Sequence, residues 1–346
     1  MEISTTKLAE FSTSCLVKAG VPEHEAEIIT NTMIEADARG IHSHGVMRLP
    51  IYIERIQNEL IRSVSKVIVE QENKATAMLD GTFSAGQIVG TKAMEMAIEK
   101  AEEYGVGVVT AKNSNHFGIA AHYALMASKK DMIGIVMSNT APLMPPTGGA
   151  EKVLGNNPLA IAAPTNGKYP LLLDMALSNV ALGKVIFSQK KGIAIPEGWG
   201  ADQNGKATTD PSAVLNGGFI SPVGGPKGFG LALMVETLTG VLSGGDFSKM
   251  IPSMYDLTQK QSISHFMLVI NVSYFMDVER FKDLASMLSS YVKNAVKASG
   301  VDELYLPGEI EFSIEEKRMQ SGIPISDSVL DELRKLAETL QVPGLD

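Results

Sequence analysis

Val106-Gly107-Val108-Val109-Thr110-Ala111 runs straight into Lys112-Asn113-Ser114-Asn115-His116-Phe117-Gly118. The first part is small, branched and without polar alternation, which suits a strand covered on both faces. The second part puts a histidine just past the strand's C-terminal end, among Asn, Ser and Gly. Helices are predicted on either side, over 85–104 and 119–129, and a second strand at Ile133-Gly134-Ile135-Val136-Met137-Ser138. Buried strands between helices make this an α/β chain.

Working outward, the first sixty residues read as helices. Thr5 or Thr6 caps a helix that runs through Val17 and ends at Gly20. Pro22 fits the first turn of a second helix, with Glu23, Glu25 and Glu27 near the positive end of its dipole. Gly40 stops that helix, and a third is predicted over Leu49–Ile61. Strands over 67–70 and 75–80 make a hairpin. Further strands are predicted at Leu159–Ala163, Pro170–Asp174 and Phe266–Val272. The segment from Gly192 to Ser221 is rich in Gly, Pro, Asp and Asn and reads as surface loops. Helices are expected over Phe229–Leu242, Val278–Lys297, near Ile314–Met319 and over Asp327–Leu340, the last capped by Ser326. Hairpins and crossovers mixed in this way predict a mixed sheet and not a regular parallel β-α-β series. Residues 66–274 form the expected α/β sheet domain, and 1–65 with 275–346 a helical one.

Composition narrows the function. The chain has 346 residues, 45% apolar and 20% charged, with a net charge of −9. A scattered set of cations within an acidic chain argues against nucleic acid, whose phosphates need a basic track. Cys15 is the only cysteine, so no internal disulfide forms, which fits a reducing cytoplasm. Met1-Glu2-Ile3-Ser4 lacks the basic start and apolar run of a signal peptide. No stretch is long and apolar enough to predict a membrane span.

Three of the six histidines fall in two segments about seventy positions apart, at His42, His44 and His116. His42 and His44 alternate in Gly40-Ile41-His42-Ser43-His44-Gly45, but no third ligand stands at zinc spacing, so no metal is expected. Arg48 follows four residues after His44, where a helix begins. A guanidinium there can grip a carboxylate through two N–H groups. Tyr52 lies one turn further along the same face. His116, at a strand's end, is placed to exchange a proton near neutral pH.

A nucleotide cofactor is often announced by G-x-G-x-x-G directly after a strand. That fingerprint is missing. Gly225-Pro226-Lys227-Gly228-Phe229-Gly230 has another glycine order and opens a helix, where Lys227 and free amides suit a phosphate. Other segments border strands: Ser138-Asn139-Thr140-Ala141-Pro142 follows one, Gly155-Asn156-Asn157-Pro158 enters one, and Leu173-Asp174-Met175-Ala176 ends one in a carboxylate.

Taken together, these segments resemble the malate/L-lactate dehydrogenase family, which includes ureidoglycolate and sulfolactate dehydrogenases. The matching residues are Ala36-Asp37-Ala38-Arg39-Gly40-Ile41-His42-Ser43-His44-Gly45, Asn115-His116-Phe117-Gly118, Gly155-Asn156-Asn157-Pro158, Asp174-Met175-Ala176, Gly225-Pro226-Lys227-Gly228-Phe229-Gly230 and Tyr305-Leu306-Pro307-Gly308-Glu309. The resemblance implies a non-Rossmann, mixed-sheet NAD(P)-binding domain, a homodimer, and hydride transfer between NAD, or NADP as the alternative, and a small 2-hydroxy acid. It places proton transfer on His116 and substrate binding on Ser43, His44, Arg48 and Tyr52. Cofactor contacts fall on Thr140, Asp174, Met175, Ala176, Pro226, Lys227, Gly308 and Glu309. Malate or L-lactate is the expected substrate. Ureidoglycolate, suggested by Met254-Tyr255-Asp256-Leu257, and a cyclic imino acid are the alternatives.

Overall fold

A computed structural model describes residues 1–345 of the chain. Along it run β1 (Glu2–Ile3), α1 (Thr5–Lys18), α2 (Glu23–Ala38), α3 (Leu49–Gln57), β2 (Ile68–Asn73), β3 (Thr76–Asp80), α4 (Gly86–Tyr104), β4 (Val106–Ser114), α5 (Ala120–Ser128) and β5 (Met132–Ser138). Then come β6 (Leu159–Ala163), β7 (Leu171–Met175), α6 (Leu182–Lys191), β8 (Gly200–Ala201), α7 (Pro211–Leu215), β9 (Phe219–Ile220), α8 (Pro226–Glu236), β10 (Ile263–Asn271), α9 (Val278–Lys293), α10 (Glu309–Ser321), β11 (Ile323–Pro324) and α11 (Asp327–Leu340).

Several boundaries differ from expectation for local reasons. Ser4 and not Thr5 or Thr6 caps α1: its hydroxyl accepts the Lys7 N–H at 3.2 Å, while Thr5 is already helical. α3 ends at Gln57, short of Ile61, and Glu59 just beyond takes a φ of 57° that no helix carries. Ser326 holds the N-cap position of α11, but its hydroxyl faces Ser328 and makes no capping bond. The segment 192–221 is not all loop. Asp210 accepts the Ser212 N–H and Pro211 opens the short α7, and β8 pairs with β9. After Glu236 the winding of α8 widens into a π-turn over Thr237–Val241.

The main sheet has seven strands in the order β2-β3-β4-β10-β5-β6-β7. Only β3 and β4 run parallel, joined by the crossover helix α4; the other neighbours are antiparallel. β10, from late in the chain, fills the centre between β4 and β5. This mixed α/β sheet is the expected class.

Apolar side chains gather in three cores. One joins the sheet to α4 and α5 through Leu79, Val89, Met94, Val109, Val136 and Met267. A second packs α1, α2, α3 and α11 through Leu8, Leu16, Ile29, Met33, Ile53 and Leu333. Each such fully buried side chain stabilises the fold by about 1.5–3 kcal/mol. The third, around Met144, Leu177, Val185, Ile220 and Val235, supports the region of α6 to α8. Among the described residues no helix is long and apolar enough to cross a membrane.

Candidate active site

The end of β4 meets two helical elements. α4 starts directly against it: a Cβ on Gly86 would run into the carbonyl oxygens of Asn115 and His116. Asn115 is buried, and its side-chain amide donates to the carbonyls of Phe83 and Ser84, fixing the backbone before His116. α3 arrives from the other side with Tyr52, buried at 3% exposure. The Tyr52 hydroxyl is hydrogen-bonded to His116 Nδ1 at 2.6 Å.

His44 stacks on His116, ring centroids 5.2 Å apart, and its Nδ1 lies 2.9 Å from the Ser43 hydroxyl. Arg48 donates from Nε to the Ser43 carbonyl at 2.7 Å. The five residues expected at the proton-transfer and substrate end, Ser43, His44, Arg48, Tyr52 and His116, are thus one contiguous cluster.

His42 leaves that cluster. Its Nδ1 lies 2.7 Å from the carboxylate of Asp37, whose other oxygen accepts the Val46 N–H at 2.7 Å. Gly45 is needed there, since a Cβ would strike the Asp37 carboxyl. The alternation of His42, Ser43 and His44 therefore folds as a short 3-10 turn tied to α2, with its two imidazoles on different partners. Among the described residues no group of three or more His, Cys, Asp or Glu side chains could hold a metal ion.

Charge in the cluster is set by enclosure. Burial first, then the neighbouring His44 and Arg48, hold His116 well below the ordinary histidine range. Burial and Arg48 bring His44 down to about 4. Burial pushes the Tyr52 phenol up, so it stays a neutral donor and acceptor. At neutral pH the cluster holds one permanent charge, that of Arg48.

The remaining expected residues follow the edge strand β7. Asp174 accepts the Ala121 N–H at 3.0 Å, at the start of α5, and burial raises its carboxyl to about 6. Gly308 and Glu309 open α10 against Leu172, whose N–H is held by the Pro307 carbonyl at 3.2 Å. Beyond Met175 and Ala176, Leu177 donates to the Asn156 carbonyl at 2.7 Å, and Asn156 accepts the Thr140 hydroxyl at 3.0 Å. Leu177 also accepts the Val223 N–H at 2.9 Å, which brings up Gly225, Pro226 and the exposed Lys227. These residues form a line along β7 and make no direct hydrogen bond to the His116 cluster.

Sequence reasoning missed Tyr255 and Met254 as site residues. Arg48 Nη1 donates to the Tyr255 hydroxyl at 2.5 Å and lies 3.5 Å from the Met254 sulfur. It also missed Asp37 as the staple of the 42–46 turn. Gln87, buried beside the Tyr52 hydroxyl at the start of α4, was missed as well.

Comparison with known proteins places this arrangement. The chain is 43% identical to a malate dehydrogenase of Pyrococcus abyssi, covering 100% of this chain and 97% of that protein. It is 35% identical to the NAD(+)-dependent ureidoglycolate dehydrogenase of Escherichia coli, covering 96% and 95% of the two chains. The solved sulfolactate dehydrogenase of Methanocaldococcus jannaschii superposes with a TM-score of 0.94 at 39% identity, over 100% of this chain and 98% of that one. Fold and relatives define a class, the dehydrogenases of small hydroxy acids. Within it, the chain belongs to the malate/L-lactate dehydrogenase family, whose model matches residues 3–334.

Proposed function

We propose that this chain oxidises malate or L-lactate, and reduces the matching 2-oxo acid, with NAD or NADP, His116 carrying the proton and Arg48 the carboxylate. The observation that carries this is the enclosed pair of Tyr52 and His116, joined at 2.6 Å beside a single guanidinium.

The residues along β7 fit a dinucleotide. α8 begins at Pro226 with Gly225 as its N-cap, and Gly224 and Gly225, with φ of 60° and 63°, have nothing within 4 Å of the space a Cβ would fill. The positive end of that helix and the exposed Lys227 suit a phosphate, the chemistry that a glycine-rich fingerprint supplies elsewhere. Pro226 and Lys227 would hold the phosphates, with Thr140, Asp174, Met175, Ala176, Gly308 and Glu309 lining the rest. A bound nicotinamide supplies the hydride acceptor or donor.

This chain's own residues handle the proton and the anion. With Nδ1 occupied by Tyr52, His116 turns Nε2 to the substrate. Neutral His116 accepts the hydroxyl proton during oxidation, and protonated His116 returns it to the oxo group during reduction. Arg48 holds the carboxylate and so chooses the face of the carbon presented to the cofactor. The segments before and after the sheet in sequence, residues 1–65 and 275–346, form the substrate and association domain, and 66–274 the cofactor domain. We also place two copies together. α9 buries none of its side chains and leaves Met287, Leu288, Tyr291 and Val292 in solvent, an apolar face that association would cover. Sedimentation should then return about twice the 37.0 kDa chain mass.

Ureidoglycolate is the second substrate reading, supported by the contact of Met254 and Tyr255 with Arg48. The test follows the absorbance of NADH and of NADPH with pyruvate, oxaloacetate and a cyclic imino acid, and of NAD and NADP with malate, L-lactate and ureidoglycolate. Turnover of pyruvate or oxaloacetate is expected. Consumption with cyclic imines alone would move the assignment to an imine reductase. Cofactor binding without turnover of any of them would overturn it.

A further inference from the structure

Arg48 and Arg55, seven positions apart, hold one distant loop. Arg55, on α3 and 1% exposed, spends its guanidinium on backbone: it donates to the carbonyls of Met254 at 3.0 Å, Asp256 at 2.8 Å and Gln259 at 3.2 Å. The loop is closed on itself as well, because the Asp256 carboxylate accepts the Thr258 N–H and hydroxyl. A buried cation with three carbonyl partners makes a rigid mount. At its tip the loop carries Tyr255 to Arg48.

The polarity of that contact matters. Arg48 can only donate, so the Tyr255 oxygen is the acceptor at 2.5 Å and its own O–H remains to be given elsewhere. Tyr255 is 64% exposed, and among the described residues its O–H donates no hydrogen bond. The Arg48 guanidinium carbon lies 6.0 Å from the Tyr255 ring centroid, so the guanidinium meets the phenol at its hydroxyl end. Tyr255 also lies within electrostatic reach of Tyr52, on the His116 side.

We infer that Tyr255 is a substrate-binding residue, its O–H donating to the same carboxylate that Arg48 holds. One carboxylate oxygen meets an Arg48 N–H and the other meets the Tyr255 O–H. This two-point seat fixes the plane of the carboxylate without adding a second charge. The inference rests on the assignment of Arg48 to the substrate carboxylate.

The test is Tyr255→Phe in the full chain, with the 2-oxo acid that the unaltered enzyme turns over. It also measures the dissociation constant of oxamate, an unreactive carboxylate, in the presence of reduced cofactor. The KM for the oxo acid and the oxamate constant should both rise on the order of tenfold, as for loss of one hydrogen bond to a charged group. The value of kcat should move far less, and the KM for cofactor should stay. An unchanged KM would overturn the inference. So would a lowered KM, which would make Tyr255 a competitor for Arg48 and not a partner. An unaltered enzyme inactive on every oxo acid would instead count against the functional assignment itself. Because the side chain is exposed, the melting temperature of the variant should match that of the parent.

Discussion

At the scale of the residue, enclosure decides the charge on His116 before any substrate arrives. Its conjugate acid is destabilised by burial, and then by His44 and Arg48, so the imidazole is neutral well below pH 6.5. On the role proposed for His116, oxidation needs that neutral form. Its kcat/KM should therefore stay level as pH falls from 8 to 6.5 and break only further down. Reduction needs the proton, so its kcat/KM should fall as pH rises above the lowered pKa. A pH profile of both directions checks this, and an oxidation limb that breaks above pH 6.5 contradicts it. His116→Ala should remove turnover by at least about a hundredfold, the usual contribution of a positioned acid or base, while cofactor titration by fluorescence stays nearly unchanged. His116, Arg48 and Tyr52 were legible in the sequence because each has a local sign: the end of a strand, the start of a helix, one turn along it. Tyr255 has none. It reaches Arg48 from 207 positions away, and only the folded loop brings them together. His42, two positions from His44, stands apart from the cluster because Asp37 holds it to α2.

At the scale of the element, the start of α4 carries the site. Gly86 lets the helix touch the backbone of Asn115 and His116, and the atoms that a Cβ would meet are carbonyl oxygens. Backbone cannot give as the end of a flexible side chain would. Alanine has the better helix propensity by about 1 kcal/mol, yet the forced shift should exceed that gain. Gly86→Ala should cost about 1–3 kcal/mol in denaturant melting. It should also lower kcat, because the displaced carbonyl belongs to His116. Equal stability with equal kcat would show that the contact relaxes freely. Strands such as β4, β5 and β10 were readable from their branched apolar runs. Their order was not: nothing within Ile263–Asn271 says that it will lie between β4 and β5. α6 escaped notice because it is short: its apolar residues Leu182, Val185, Ile186 and Phe187 span less than two turns, and only Val185 of them is buried.

At the scale of the whole molecule, the mixed α/β sheet was expected, but the third core around α6 to α8 was not, because it joins Ile195, Val214 and Ile220 from a segment rich in Gly and Pro to the distant Met144, Leu177, Val185 and Val235. The sheet itself carries a pH liability at its centre. His265, on β10, is 0% exposed and stacks on Phe117 with centroids 4.3 Å apart. Its two nitrogens meet the hydroxyls of Ser114 at 2.8 Å and Ser138 at 3.0 Å, so it ties β10 to β4 and β5 alike. Burial brings its pKa down to about 3. An unfolded histidine titrates near 6.5. Below that pH the unfolded chain takes a proton that the folded chain refuses. The stability from neutral His265 is therefore complete above pH 6.5 and lost progressively as pH falls toward 3. Between pH 6.5 and 5 the loss is about 2 kcal/mol. Asp174 acts in the other direction. Its pKa, raised to about 6, gives stability that is full below the ordinary carboxylate range and lost as pH rises through 6, so a bare melting curve mixes the two. A difference measurement separates them. His265→Asn keeps a donor and an acceptor between Ser114 and Ser138 but has no proton to take up. The variant should be less stable than its parent at pH 7.5, through lost packing on Phe117, and the gap should narrow by about 2 kcal/mol at pH 5. Parallel stability curves for the two proteins across that range would mean that His265 takes up its proton in the folded sheet as readily as in water.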